Sequence, residues 1–242
     1  MKVLILSDIH GNQAALQAVL DKAAETLDIK GCMLLGDLID YGMHSNEVIE
    51  IARQMPYLVM CSLRGNHEDA VIRNEYTCFS SQRGSDSARY TASILNQASW
   101  NYICCEMEAC GRKEFKINGK KCLAVHGSLE EPYWKGIDLT KTLKEYRDYD
   151  YVFSGHTHLP HFIEKYYACE DMQRRNKKKT VFINPGSVGQ PRNLNNMAQY
   201  VILDMETEQI AFEKVKYDID GEQADYNGQI DEFYRERLRW GI

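Results

Sequence analysis

Residues 3–6 form an unbroken apolar run, Val3-Leu4-Ile5-Leu6, that stops at Ser7-Asp8. A short β-rich run without alternation predicts a strand covered on both faces. From 13 to 27 the apolar positions Leu16, Val19, Leu20, Ala23 and Leu27 fall at helical spacing, which predicts a helix. A second buried strand is predicted over 32–35, ending at Gly36-Asp37. A helix follows over 45–54, with Ser45 or Asn46 as its cap and Pro56 beyond its end. A third strand over 57–62 runs toward Gly65-Asn66-His67. This alternation of strand and helix predicts a parallel sheet with crossover helices.

Residues 69–102 are polar and lack strand alternation, so they predict helices, one of them around 87–96, and a cap over the core. Strands over 114–117 and 121–125 flank an Asn118-Gly119 hairpin turn. Further strands are predicted over 151–153 and 180–183, and an antiparallel pair over 199–203 and 209–217. A helix is expected from about 228 to 242. No internal repeat or low-complexity linker interrupts the 242 residues, so one domain is expected.

The net charge of −6 argues against a general nucleic-acid coater, and no stable nucleic-acid complex is expected. An anionic substrate remains compatible, because bound divalent metals reverse the local charge. The apolar run at the N-terminus is too short for a signal peptide, and no stretch approaches a membrane span. None of the eight cysteines forms a C-x-x-C pair, and several lie inside apolar runs. They read as free thiols in a reducing cytosol, hence a cytoplasmic protein without membrane contact.

Five short motifs change the picture: Asp8-Ile9-His10, Gly36-Asp37, Gly65-Asn66-His67, His126-Gly127 and Gly155-His156-Thr157-His158. Each lies at or just beyond the end of an apolar run, and strand ends of a parallel sheet share one edge where α/β folds place their sites. Carboxylate, imidazole and amide together, with no thiolate, favour ions such as Mn, Fe, Ni or Zn. On an extended strand end Asp8 and His10 would point the same way. His156 and His158 have the same spacing and could serve one ion or divide between two. Asp37, a lone carboxylate, could bridge.

In this order the motifs resemble the calcineurin-like metallophosphoesterase signature. The segments 7–12 and 184–192 resemble its small bacterial and archaeal phosphodiesterase or phosphatase branch, and the resemblance covers about residues 1–217. It implies a four-layer αββα sandwich, two mixed β-sheets flanked by helices. It also implies hydrolysis of a phosphomonoester or phosphodiester by a water activated between two divalent ions, manganese first. Asp8, His10 and His158 would bind one ion; Asn66, His126 and His156 the other; Asp37 would bridge. His67 would be the leaving-group acid or a transition-state stabiliser, oriented by Asp40. A dinucleoside polyphosphate hydrolase is the alternative within enzymes, and a non-catalytic metal-binding scaffold the alternative outside them. The chain departs from the pattern at Tyr41, where protein Ser/Thr phosphatases carry an Arg. A phenol cannot grip phosphate as a guanidinium does, which disfavours phosphoprotein substrates and favours a small phosphorylated or nucleotide-like one. Asn12 and Arg192 are the candidates for the missing phosphate contacts.

Other features have plainer readings. His44 reads as a surface residue, while His161 is open between a supporting and a surface role. The basic run 173–179 reads as a solvated hairpin loop. Tyr133-Trp134 could wall the site or fill the core. Arg83, Arg89 and Tyr90 in the cap region are candidate substrate contacts. The apolar side of the C-terminal helix (Phe233, Tyr234, Leu238, Trp240) either packs on its own domain or faces another subunit of a homo-oligomer.

Overall fold

Alternate residues of β1 (Lys2–Leu6) face two different cores. Val3 and Ile5 point into the space between two sheets, and Leu4 and Leu6 point toward helices. That is why the run is apolar without alternation. The computed structural model describes residues 1–242 apart from 174 and 176.

The first sheet also contains β2 (Ile29–Leu34), β3 (Leu58–Ser62), β9 (Ala198–Asp204) and β10 (Ile210–Val215), in the order β10-β9-β1-β2-β3. Its β1-β2-β3 part is parallel, and β9 and β10 join antiparallel. The second sheet contains β4 (Arg112–Ile117), β5 (Lys120–Val125), β6 (Tyr151–Ser154), β7 (His161–Tyr166) and β8 (Lys179–Asn184), in the order β4-β5-β6-β8-β7. Here β5, β6 and β8 are parallel and the two edges antiparallel. Both sheets are therefore mixed, as the αββα expectation requires. Between them lies a shared core that includes Ile5, Met33, Leu35, Ala124, Phe153, Ile183 and Val201.

Helices α1 (Gln13–Ala24) and α2 (Ser45–Arg53) cover the outer face of the first sheet through Leu16, Val19, Val48 and Ile49. The outer face of the second sheet is covered by a thinner layer. Leu143, Tyr146 and Tyr149, on and beside a 3₁₀ turn at Lys144–Tyr146, pack there on Leu123, Val152 and Phe182. Between β3 and β4 run α3 (Asn66–Arg73), α4 (Gln82–Ile94), α5 (Gln97–Asn101) and a π turn at Tyr102–Glu106. The C-terminal region adds α6 (Ile219–Ala224) and α7 (Glu232–Trp240).

Several boundaries differ from expectation. Helix α1 stops at Ala24 and leaves Leu27 81% exposed. The Glu25 and Thr26 amides turn back to Lys22 and Ala23, and Asp28 takes a left-handed backbone. Strand β2 starts earlier, at Ile29, where it pairs with Lys2 of β1, and Met60 covers the bare backbone of Gly31. Strand β7 was not expected. It is an edge strand with Phe162 and Tyr166 largely exposed, and such a strand shows no buried apolar run in the sequence. Its connection to β8 is the predicted hairpin loop holding the basic run, within which Arg174 and Asn176 lie outside the described residues. The inner side of α7 packs within the chain: Tyr234 and Leu238 are buried, whereas Trp240 stays exposed.

All eight cysteines are free thiols. No helix among the described residues is long and apolar enough to cross a membrane.

Candidate metal centre

Strands from both sheets deliver their C-terminal ends to one edge. Just past β1 comes Asp8, past β2 Asp37, past β3 Asn66, past β5 His126 and past β6 His156. The convergence does not use strand alternation. Asp8, His10, Asp37, Asp40, Tyr41, His156 and His158 all adopt left-handed backbone, with φ from 51° to 73°. They are seven of the thirteen such non-glycine residues among the described residues. Left-handed backbone costs an L-residue with a side chain of its own, and strain of this kind clusters at functional sites. So Asp8 and His10 are neighbours in space through two tight turns, correcting the extended-strand expectation. His156 and His158 divide between two groups of ligands.

Close backbone approach holds the loops together. A Cβ on Gly65 would sit 2.1 Å from Asp37 Oδ1, and one on Gly189 would sit 1.8 Å from the Ile9 carbonyl. The 184–192 segment braces the Asp8 turn: Ser187 Oγ and the Gly189 amide both donate to the Asp8 carbonyl, at 2.6 and 3.1 Å.

The first group is Asp8, His10 and His158. Nε2 of His10 lies 3.1 Å from Nε2 of His158, which lies 3.3 Å from Asp8 Oδ1. The Nδ1 atoms face backbone carbonyls, His10 that of Ile39 at 3.2 Å and His158 that of Gln190 at 2.5 Å. Three contacts thus need a proton each, but two neutral imidazoles carry only two. A third proton is disfavoured, because burial first, then neighbouring cationic groups, push both imidazoles well below 6.5. If both Nδ1 atoms donate, two lone pairs confront each other across 3.1 Å. A metal ion fits there, since it takes neutral imidazole nitrogens whose other ring nitrogen donates to a carbonyl.

The second group is Asp37, His126 and His156, with Asn66 between the imidazoles. Asn66 Oδ1 is 3.0 Å from His126 Nε2 and 2.9 Å from His156 Nδ1. His126 Nε2 is also 3.2 Å from Asp37 Oδ2, while its Nδ1 donates to the Leu35 carbonyl at 2.8 Å. Burial drives His156 down to about 4. Burial also opposes charge on His126, but Asp37 outweighs it and raises this imidazole to about 9. Asp37 Oδ2 lies 3.8 Å from His10 Nε2 as well, so this carboxylate touches both groups. The three ligand atoms of each group lie within 4.8 Å of one another.

Beside them, His67 Nδ1 is 2.6 Å from Asp40 Oδ2. The other Asp40 oxygen accepts from Ser87 Oγ, Thr91 Oγ1 and the Tyr41 amide. Burial opposes charge on His67, yet Asp37 and Asp40 hold its pKa above the ordinary value. Its Nε2 is left toward the cleft. Tyr41 is stacked on Tyr234 of α7, with centroids 4.1 Å apart, and its ring meets His67 edge-on at 4.5 Å.

Sequence reasoning missed Glu68. This fully buried carboxylate accepts four backbone N–H groups: Asp37 at 3.0 Å, Leu38 at 2.7 Å, Ile39 at 3.2 Å and Gly65 at 2.7 Å. It ties the Gly-Asp loop to the Gly-Asn-His loop. Burial and the Asp37 charge push its carboxyl up, and the amides pull against them. The signal was present: Glu68 stands three residues after the Gly65 N-cap, the capping-box spacing.

A cleft of about 360 Å³ opens over the centre, lined by Asp37, Tyr41, Asn66, His67, Cys78, Phe79, Ser80, Trp134, His156, His158 and Arg192. Arg192 thus reaches the site, and its Nε is buried without a hydrogen-bond partner. Asn12 does not reach it. Its Oδ1 caps α1 through the Ala15 amide, and its Nδ2 donates to the Gly189 carbonyl and Tyr217. It is withdrawn as a substrate contact.

Arg83 lies over the Phe233 ring, Arg89 pairs with Asp86, and Tyr90 packs beside Tyr41 and Tyr234. None of the three lines the cleft. Tyr133 is buried, while Trp134 forms part of the wall. His44 joins Glu222 and Asp225 at 3.0 and 3.2 Å, and His161 keeps an unpartnered buried Nε2. Lys177, Lys178 and Lys179 line a separate cavity that includes none of the metal-centre residues.

A family model described as the calcineurin-like phosphoesterase superfamily domain matches residues 1–208. The chain belongs to this superfamily. It is 31% identical over 231 residues to an uncharacterized protein, MJ0912, of Methanocaldococcus jannaschii, covering 90% of this chain and 88% of that one. A crystal structure of a metallophosphoesterase from Sphaerobacter thermophilus is 28% identical, with a TM-score of 0.75, covering 100% of this chain and 99% of that one. The hypothetical protein PH1004 of Pyrococcus horikoshii shares the fold, with a TM-score of 0.85 at 20% identity over 100% and 98% of the two chains. The calcineurin-like phosphoesterase thus has its clustered Asp and His residues at the edge where both sheets end.

Proposed function

We propose that this calcineurin-like phosphoesterase hydrolyses a small phosphomonoester or phosphodiester with two divalent ions, manganese foremost. The observation that carries the reading is the proton shortfall between His10 and His158, which a bound cation resolves. Asp8, His10 and His158 would hold one ion, Asn66, His126 and His156 the other, and Asp37 both. When bound, such a pair supplies charge neutralisation at the phosphoryl oxygens and an activated water.

The chain's own groups do the rest. His67, whose Nδ1 is held by Asp40 Oδ2, donates from Nε2 to the leaving oxygen, a contribution of about 10²- to 10⁴-fold. Asp40 holds the ring so that this nitrogen faces the cleft. Arg192 offers an uncommitted guanidinium to the phosphoryl oxygens. Tyr41 closes the side of the site with its ring and leaves Arg192 to supply the charge. The dinucleoside polyphosphate reading is less favoured, because Arg192 is the one Lys or Arg lining the cleft among the described residues. A polyphosphate chain would call for several such cations.

The test is turnover of bis(4-nitrophenyl) phosphate, 4-nitrophenyl phosphate and diadenosine tetraphosphate with Mn, Ni, Fe and Zn in turn. A wild-type chain inert toward all three with manganese supplied would refute the enzyme reading. A His67→Asn variant as active as wild type would remove His67 from its role alone.

A further inference from the structure

The cleft has an aromatic corner that the chemistry above leaves unused. Phe79 comes from the loop between α3 and α4, and Trp134 from the loop after β5. Their rings meet at 5.1 Å and 89°. Both are half-buried and both line the cleft.

The two rings are held in place. A Cβ on Gly84 of α4 would lie 3.2 Å from Phe79 Cδ1, so α4 approaches the ring closely where it has no side chain. The glycine makes room there for Phe79. Glu131 accepts the amide N–H groups of both Tyr133 and Trp134, and the Gly127 amide donates to the Pro132 carbonyl. The loop carrying Trp134 is thereby pinned beside the His126 turn. No hydrogen bond engages the indole N–H among the described residues.

Two large rings set at right angles and left half-open in a polar cleft forgo part of the stabilisation that full burial would give. They form a corner in which a third flat ring can stack on one face and meet the other edge-on. Phe79 also meets His67 edge-on at 5.0 Å. The group attached to the leaving oxygen, beside His67, is the part of a substrate that reaches this corner.

We infer that the leaving group of the natural substrate carries a flat aromatic ring, seated between Phe79 and Trp134. This rests on His67 being the leaving-group acid. Phe79 and Trp134 are specificity residues, since they touch the departing alcohol rather than the phosphorus.

The experiment uses the full chain loaded with manganese and two diesters that keep methyl as the retained group. One loses 4-nitrophenol and the other loses trifluoroethanol, followed by fluorine NMR. Phe79→Leu and Trp134→Leu keep apolar bulk and remove the ring. Each is expected to lower kcat/KM about tenfold for the aryl substrate, the size of one stacking contact, and less than about twofold for the trifluoroethyl one. Equal losses on both substrates would give the rings a merely structural role and overturn the inference, as would no loss on either.

A binding readout stands apart from turnover. Phenylphosphonate should quench indole emission where methylphosphonate does not, and Trp134→Leu should abolish that difference. Indistinguishable titrations of wild type would also overturn the inference. Wild-type inactivity on both diesters and on 4-nitrophenyl phosphate would instead refute the phosphoesterase reading beneath it.

Discussion

Glu68→Gln is nearly isosteric, so it leaves no cavity and isolates the hydrogen bonds. The amide oxygen can keep the Leu38 and Ile39 amides on one side. The new NH₂ then faces the Asp37 and Gly65 amides, donor against donor. Each orphaned buried N–H costs about 1–3 kcal/mol, so the loss is about 2–6 kcal/mol, and near 3 if the loops relax. For a chain of this size each kcal/mol moves the melting temperature by about 2–4 °C. Glu68→Gln should therefore melt roughly 6–12 °C below wild type. Thermal unfolding by circular dichroism in excess EDTA keeps metal binding out of the comparison. Glu47→Gln on the exposed face of α2 is the control and should stay within about 0.5 kcal/mol. A Glu68→Gln chain that melts within about 2 °C of wild type would refute the tie between the two loops.

Asp40→Asn should lower kcat by roughly tenfold or more with little change in KM, because it weakens a charge-assisted bond to His67 without touching the substrate. Arg192→Ala should chiefly raise KM, by about tenfold, the loss of one hydrogen-bonded charge; initial-rate kinetics separate the two patterns. The hydrogen bond that His44 donates to Glu222 raises its pKa above the ordinary 6.5 against partial burial. The folded chain therefore holds this proton more tightly than the unfolded one, and the stabilisation is complete below that value and fades as pH rises through the folded one. Urea unfolding should show His44→Gln destabilised at pH 6 and nearly equal to wild type at pH 9; an equal deficit at both would contradict this coupling.

The candidate site was legible in the sequence because its candidate ligands sit in five short motifs, each near the end of an apolar run. The way they meet was not legible. Nothing in Asp8-Ile9-His10 or Gly155-His156-Thr157-His158 announces left-handed backbone at four residues with side chains. Asn12 was misread because a helix cap and a phosphate contact look alike in sequence, and only its three hydrogen bonds tell them apart. Tyr234 on Tyr41 is a tertiary pairing between distant segments, which periodicity cannot reveal. The αββα architecture followed from resemblance. The parallel part of the first sheet could be read directly, because β1, α1, β2, α2 and β3 alternate cleanly. The edge strand β7 and the thin layer over the second sheet carry no periodic signal of their own.

The central claim is that seven side chains from turns at the ends of both sheets cage two cations. Crystals grown with excess manganese, measured above and below its absorption edge, address it directly. Two anomalous peaks per chain are predicted, one among Asp8, His10 and His158 and one among Asn66, His126 and His156, with Asp37 in contact with both. A cleft without anomalous signal, or manganese held elsewhere on the chain, would contradict the account.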